Sequence, residues 1–162
     1  MGAAFERRVL GTDIVAYDPM YREDVLALAR EMHAESKSHA NMPLNEAKVM
    51  EHLQRATELE DRYYFRLALT GCEVVGGFLG MITTAYFTDD PIAKDMSWFV
   101  RHNRRGSIAA LLLVSDFEAW ATLRGAKKVF LGQSTGVHIE TTTKLYEHLG
   151  YRVVGMNTVK EI

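Results

Sequence analysis

DMSWFVRHNRRGSIAALLLVSDFEAWATL, residues Asp95 to Leu123, is the stretch on which the fold turns. Its apolar opening, Met96 to Val100, reads as a short strand, and the residues after Ser107 read as a helix that is apolar around most of its girth. Between them lies a tight basic turn, Arg101 to Ser107, carrying Arg101, His102, Arg104, Arg105 and Gly106. A helix start offers unsatisfied N–H groups and the positive end of its dipole, so cations placed beside it make a candidate anion cradle. The plainer alternative is a solvated basic turn.

Moving outward, Gly125 stands where a left-handed helix cap is expected, and Lys127 to Gly132 is a compact apolar strand. A loop, Gln133 to Gly136, leads into a last helix, His138 to Leu149, with Leu145 and Leu149 on its inner face; Gly150 stops it. Tyr151–Gly155 and Asn157–Ile162 are expected to close the sheet as short strands. Upstream, Thr12 to Tyr17 reads as a first strand. Asp18-Pro19 then opens a helix to about Ala34 by supplying a cap and a proline at the first helical position. A polar link, Glu35 to Asn41, precedes a second helix with Val49, Leu53 and Ala56 inward. Arg62 to Leu69 alternates as a half-buried strand, Thr70 to Glu73 turns the chain, and Val74 to Phe87 returns beside it. Gly76, Gly77 and Gly80 inside that return strand imply a bulge or a close approach by another part of the chain. Hairpin pieces followed by strand, helix and strand predict a mixed sheet with helices on both faces, in the α/β or α+β class.

The totals set bounds on function. A chain of 162 residues with 48% apolar and 25% charged residues suits one globular domain, residues 1–162. No apolar run approaches the ~20 residues of a membrane helix, and the first residues, MGAAFERRVLG, lack the apolar block of a signal peptide, so a cytoplasmic location is expected. Gly2 is followed by Glu6 where myristoylation requires Ser or Thr. A single cysteine, Cys72, excludes a disulfide framework within the chain. The net charge of −2 disfavours binding nucleic acid through a broad basic surface; a local arginine cluster better suits a small phosphorylated ligand. The histidine spacings match no zinc pattern, and no G-x-S-x-G elbow is present, so neither a metal site nor a serine hydrolase is expected.

At this point the residues resemble the GNAT superfamily of acyl-CoA-dependent N-acyltransferases, in element order over essentially the whole chain. Two motifs carry the resemblance. The family's pyrophosphate motif is Gln or Arg, two residues, Gly, one residue, Gly or Ala, and it is similar to Arg105-Gly106-Ser107-Ile108-Ala109-Ala110, with Ile108 in place of the usual glycine. A second motif covers the last helix, where Leu145-Tyr146-Glu147-His148-Leu149-Gly150-Tyr151 matches its Leu-Tyr, three residues, Gly-Tyr end. Ile139 and Thr142 stand where the family has Asn and Ala. The resemblance implies a mostly antiparallel twisted sheet of six to seven strands with about four helices.

It also implies acetyl-CoA as cosubstrate, an amine acceptor and direct transfer in a ternary complex. The amides of Gly106, Ser107, Ile108, Ala109 and Ala110 would face the pyrophosphate, with Arg101, Arg104 and Arg105 neutralising its charge. Phe99 or Val100 would lend an N–H to the thioester oxygen. Tyr146 would be the general acid that protonates the leaving thiolate. The strand position where many members keep a base holds Lys94, so Asp95 next to it is the first candidate; Glu35, His39, His138 or a water relay are alternatives. Glu35, His39, Gln133 and Ser134 are candidates for acceptor contacts. A homodimer through sheet edges or the C-terminal segment is compatible with this reading. Two other readings stay open: a non-catalytic acyl-CoA-binding module, and an acyltransferase acting on modified nucleic acid or protein.

Overall fold

A computed structural model describes residues 11–162, so the expectations for the first ten residues lie outside the described part. One five-stranded sheet in the order β1-β2-β3-β4-β5 organises it. The strands are β1 (Thr12–Ala16), β2 (Tyr63–Thr70), β3 (Glu73–Thr84), β4 (Pro91–Val100) and β5 (Lys128–Phe130). All neighbours are antiparallel except β4 and β5, which run parallel. The helices are α1 (Arg22–Glu35), α2 (Glu46–Glu58), α3 (Ala109–Leu123) and α4 (Ile139–His148).

The alternation of β2 divides the core. Tyr64 and Ala68 join Phe78, Leu113, Val114, Phe117 and Trp120 beneath α3, while Phe65, Leu67 and Leu69 meet Val25, Leu28, Leu53 and Ala56 beneath α1 and α2. α3 explains its own apolar composition: Ala109, Leu113, Phe117 and Ala121 are fully buried, and the phenol of Tyr64 donates to Asp116 at 2.7 Å. Asp18, the cap expected from the sequence, opens a 3-10 turn (Pro19–Tyr21) ahead of α1, and a further cap stands at Asn45 before α2. The Asp18 carboxylate accepts from the Met20 N–H at 2.8 Å, and the Asn45 side chain accepts from the Lys48 N–H at 3.1 Å.

Five strands replace the expected six to seven. Tyr151–Gly155 and Asn157–Ile162 form no strand, because Val153, Val154, Met156, Val159 and Ile162 bury no face against the sheet. The chain beyond α4 is instead anchored at its start: Gly150 turns with φ +89° and the Tyr151 hydroxyl donates to Glu118 at 2.6 Å. β4 begins five residues earlier than Met96, since Pro91 to Lys94 pair with Thr84 to Met81. β5 is shorter than Lys127–Gly132 and its pairing with β4 ends at Lys94 and Phe130.

The glycines of β3 sit where the sheet has no room for a side chain. A Cβ on Gly80 would lie 2.5 Å from the Phe117 ring, and one on Gly76 would lie 2.8 Å from the Phe99 carbonyl oxygen. The register shifts at Ala68/Leu69 and at Leu79/Gly80. At the second shift Leu79 pairs Ser97 and Gly80 pairs Asp95, so Met96 is the extra residue on β4.

Candidate functional site

Past Lys94 and Phe130, β4 and β5 part company, and the wedge between them opens into a cavity of about 1400 Å³. Its walls come from the last six residues of β4, the turn before α3, the loop after β5, the inner face of α4, and the polar link after α1. Splitting of a parallel pair leaves half of β4 with an unpartnered edge. The Arg101 N–H donates to Val75 at 2.8 Å, toward β3; strand alternation therefore turns the backbone groups of Val100 and Trp98 toward the open side. The Val100 carbonyl is met there by Nε of Arg105 at 3.3 Å.

At one end of the cavity lies the start of α3. Ile108 occupies the cap position without a capping side chain, so the helix keeps its orphan donors. The amides of Gly106, Ile108, Ala110 and Leu111 find no acceptor among the described residues, whereas Ser107 donates to Arg104 and Ala109 reaches the Ser107 hydroxyl at 3.4 Å. Gly106 adopts φ +82°, and a Cβ there would meet nothing within 4 Å, so a left-handed backbone is what requires glycine. Ile108 turns outward, 54% exposed, leaving its amide bare without entering the core. Ala109 is buried under the helix, and Gly106, Ser107 and Ala110 line the cavity.

The basic side chains of this turn are each held by a carboxylate. Arg101 pairs with Glu31 at 3.0 Å and donates to the Val74 carbonyl at 2.8 Å; Arg104 pairs with Glu73; Arg105 pairs with Glu35. Of the three, Arg105 alone lines the cavity, its guanidinium 5.2 Å from the centre of the Phe99 ring.

Midway along the cavity a second group converges on Gly132. Its N–H donates to Oδ1 of Asp95 at 2.9 Å, and its carbonyl accepts from the Tyr146 hydroxyl at 3.0 Å. The indole N–H of Trp98 donates to the same Tyr146 oxygen at 3.0 Å. Burial pushes the Asp95 carboxyl up to about 6, against the lowering effect of the Gly132 N–H. Burial also raises the Tyr146 phenol, the Trp98 N–H opposes this, and the charge of Asp95 adds to it.

At the far end, the link after α1 is clamped to the loop after β5. Lys37 and Ser38 N–H groups donate to the Thr135 carbonyl at 2.9 and 3.3 Å, and the Ser38 hydroxyl donates to the Ser134 carbonyl. Nδ1 of His39 lies 2.8 Å from the Ser36 hydroxyl. His39, Gln133 and Ser134 line this end, with Gln133 tied to the Val137 carbonyl, while Glu35 lines the cavity where it meets Arg105. His138 lines it too, in a left-handed conformation of φ +49°.

The structure thus brings Glu35, His39, Asp95, Phe99, Val100, Arg105, Gly106, Ser107, Ala110, Gln133, Ser134, His138 and Tyr146 onto one cavity, and leaves Arg101, Arg104, Ile108 and Ala109 outside its wall. Sequence reasoning missed Trp98 and Gly132. Trp98 is two residues from Val100 on the alternating strand, which signals a shared side of β4, but a glycine acting through both backbone groups leaves no trace in the sequence. His33 also lines the cavity and lies 2.6 Å from the Met42 carbonyl through Nε2.

No protein-family model and no curated protein matches the sequence. Solved structures do match the fold. The aminoglycoside N-acetyltransferase AAC(6')-Iy, solved in complex with CoA, superimposes with a TM-score of 0.73 at 15% identity over 94% of this chain and 95% of that one. Glucosamine-6-phosphate N-acetyltransferase from Arabidopsis thaliana gives 0.69 at 13% identity, covering 93% and 98%. A putative acetyl transferase from Pyrococcus furiosus gives 0.66 at 26% identity, covering 94% and 100%.

Proposed function

On the premise that the chain has the fold of the GNAT acetyltransferases, we propose that it transfers an acetyl group from acetyl-CoA to an amine. The observation that carries the reading is a conjunction: three acceptor-less amides at the start of α3, those of Gly106, Ala110 and Leu111, and the Asp95–Gly132–Tyr146 group belong to residues that line the same cavity. Bound acetyl-CoA supplies the activated acyl group as a thioester. The amides of Gly106, Ala110 and Leu111 suit its diphosphate, because several N–H donors and the helix dipole act on one anion. The open edge of β4 suits an amide-bearing chain lying alongside as an added strand. Val100 or Trp98, whose N–H groups face that edge, would polarise the thioester carbonyl; strand alternation disfavours Phe99 for this task.

Asp95 would take the proton from the attacking amine. A carboxyl raised to about 6 is ionised at neutral pH yet is a stronger base than an ordinary aspartate. As the new N–C bond forms and the C–S bond breaks, Tyr146 would turn its O–H from Gly132 and give that proton to sulfur. The Trp98 N–H then remains on the phenolate oxygen and stabilises the charge left there. His39, Gln133, Ser134 and Glu35 would contact the acceptor.

Thiol release from acetyl-CoA in the presence of a panel of amines tests the activity, beside the thermal shift caused by acetyl-CoA. The expected result is a rise in Tm together with amine-dependent thiol release. Stabilisation without release for any amine would leave only the binding-module reading. Tyr146→Phe should lower kcat by about 100-fold or more with CoA affinity nearly unchanged. Undiminished turnover in that variant would remove Tyr146 from the role.

A further inference from the structure

Two glutamates of α1 hold the basic turn, and they do so differently. Glu31 and Glu35 are four residues apart, hence on one helical face. Glu31 is committed to structure: it accepts from the backbone N–H of His102 at 2.8 Å and pairs with Arg101, which itself braces the Val74 carbonyl. The Glu35 carboxylate touches no backbone donor among the described residues. It holds the side chain of Arg105 and lies 3.7 Å from Nδ1 of His102. Both Glu35 and Arg105 line the cavity, one beside the polar link and the other beside the free amides.

Resting on the acetyltransferase reading, we propose that Arg105 is an exchange arm. Glu35 and the cofactor's phosphates compete for it, and capture by the phosphates sets Glu35 free to bind a positively charged group of the acceptor. The other observation that points to a second partner is on the same guanidinium: Nη1 of Arg105 is enclosed and has no hydrogen-bond partner among the described residues, although an arginine carries five donors. A diphosphate seated on the amides of Gly106 and Ala110 brings a doubly charged acceptor to this arm, and it outcompetes a single carboxylate for the bidentate fork. The guanidinium also lies 5.2 Å from the centre of the Phe99 ring, a cation–π contact that does not use up its N–H donors. With its partner withdrawn, a half-buried Glu35 is left with an unbalanced charge on the cavity wall, and an ammonium group of the acceptor restores the balance. Acceptor binding is thereby coupled to cofactor binding through one side chain.

The test is calorimetric titration of coenzyme A into the unsubstituted protein, Glu35→Gln and Arg105→Gln, and the double variant. Loss of the competing carboxylate should tighten coenzyme A binding by about 3- to 10-fold in Glu35→Gln, as expected for a half-buried ion pair that no longer has to be broken. Arg105→Gln should weaken it by about 10-fold, and adding Glu35→Gln to it should bring no gain. A purely structural Glu35 predicts the opposite sign, because freeing the turn would weaken binding. Unchanged or weaker binding in Glu35→Gln overturns the exchange. If that variant does not fold, the Arg105 Nε–H resonance of the unsubstituted protein decides: a large displacement on adding coenzyme A supports the exchange, and none refutes it. Absence of coenzyme A binding to the unsubstituted protein would instead refute the acetyltransferase reading itself.

Discussion

Replacing Asp95 by asparagine should make the protein more stable and nearly inactive. The carboxyl is raised from 3.8 to about 6 by burial, so the folded state binds its proton more tightly than the unfolded chain does. Stability therefore falls as pH climbs from about 4 to about 6 and stays reduced above that, each tenfold difference in proton affinity being worth about 1.4 kcal/mol. The rise from 3.8 to about 6 corresponds to about 3 kcal/mol, and to about 2 kcal/mol after allowing for solvent that enters the open cavity. Asparagine mimics the protonated acid: its side-chain oxygen still accepts the Gly132 N–H and no charge is buried. Above pH 7 the variant should melt about 4 to 8 °C higher, whereas below about pH 4 the two proteins should melt together. Thermal scans at pH 4, 6 and 8, followed by circular dichroism, read both arms. In the same variant kcat/KM should fall by about 100-fold or more, and in the unsubstituted enzyme it should decline as pH drops through about 6. A variant no more stable at pH 8, or a gap that persists at pH 4, would refute the argument that Asp95 is a charge stored at a cost in stability.

Trp98→Phe keeps an aromatic ring against Phe78, 6.0 Å away, but removes the donor to Tyr146, so kcat should fall by about 10-fold with coenzyme A affinity retained; an unaltered rate would show that the phenol does not need that N–H. Gly80→Ala places a methyl group 2.5 Å from the fully buried Phe117 and should cost about 1 to 3 kcal/mol in urea denaturation; a neutral result would mean that β3 and α3 can separate freely there.

Alternation and periodicity made most of the fold legible. Tyr63–Leu69 and the apolar girth of α3 announce their elements because one side chain in two, or most positions of a helix, must leave water. The ends of the sheet were not legible in the same way. Tyr151 to Ile162 has strand-like composition yet finds no partner, since β5 pairs over only Lys128 to Phe130 and then diverges from β4. Met96 looks like any strand residue, and only the register of β3 makes it the extra one.

The site divides along the same line. Its residue types and their spacing, Arg105-Gly106 before an apolar helix and Leu145-Tyr146 before Gly150-Tyr151, are local properties of the chain, and the sequence by itself settled them. Whether those types act was a matter of what each one meets. Only the folded arrangement shows that Arg101, Arg104 and Arg105 are each held by a glutamate, while backbone amides at the helix start keep no acceptor among the described residues. Only there does Gly132 stand between Asp95 and Tyr146, 37 and 14 residues away in the chain. Charge pairing and burial are properties of distance in space, and distance in space is what a linear string leaves unstated.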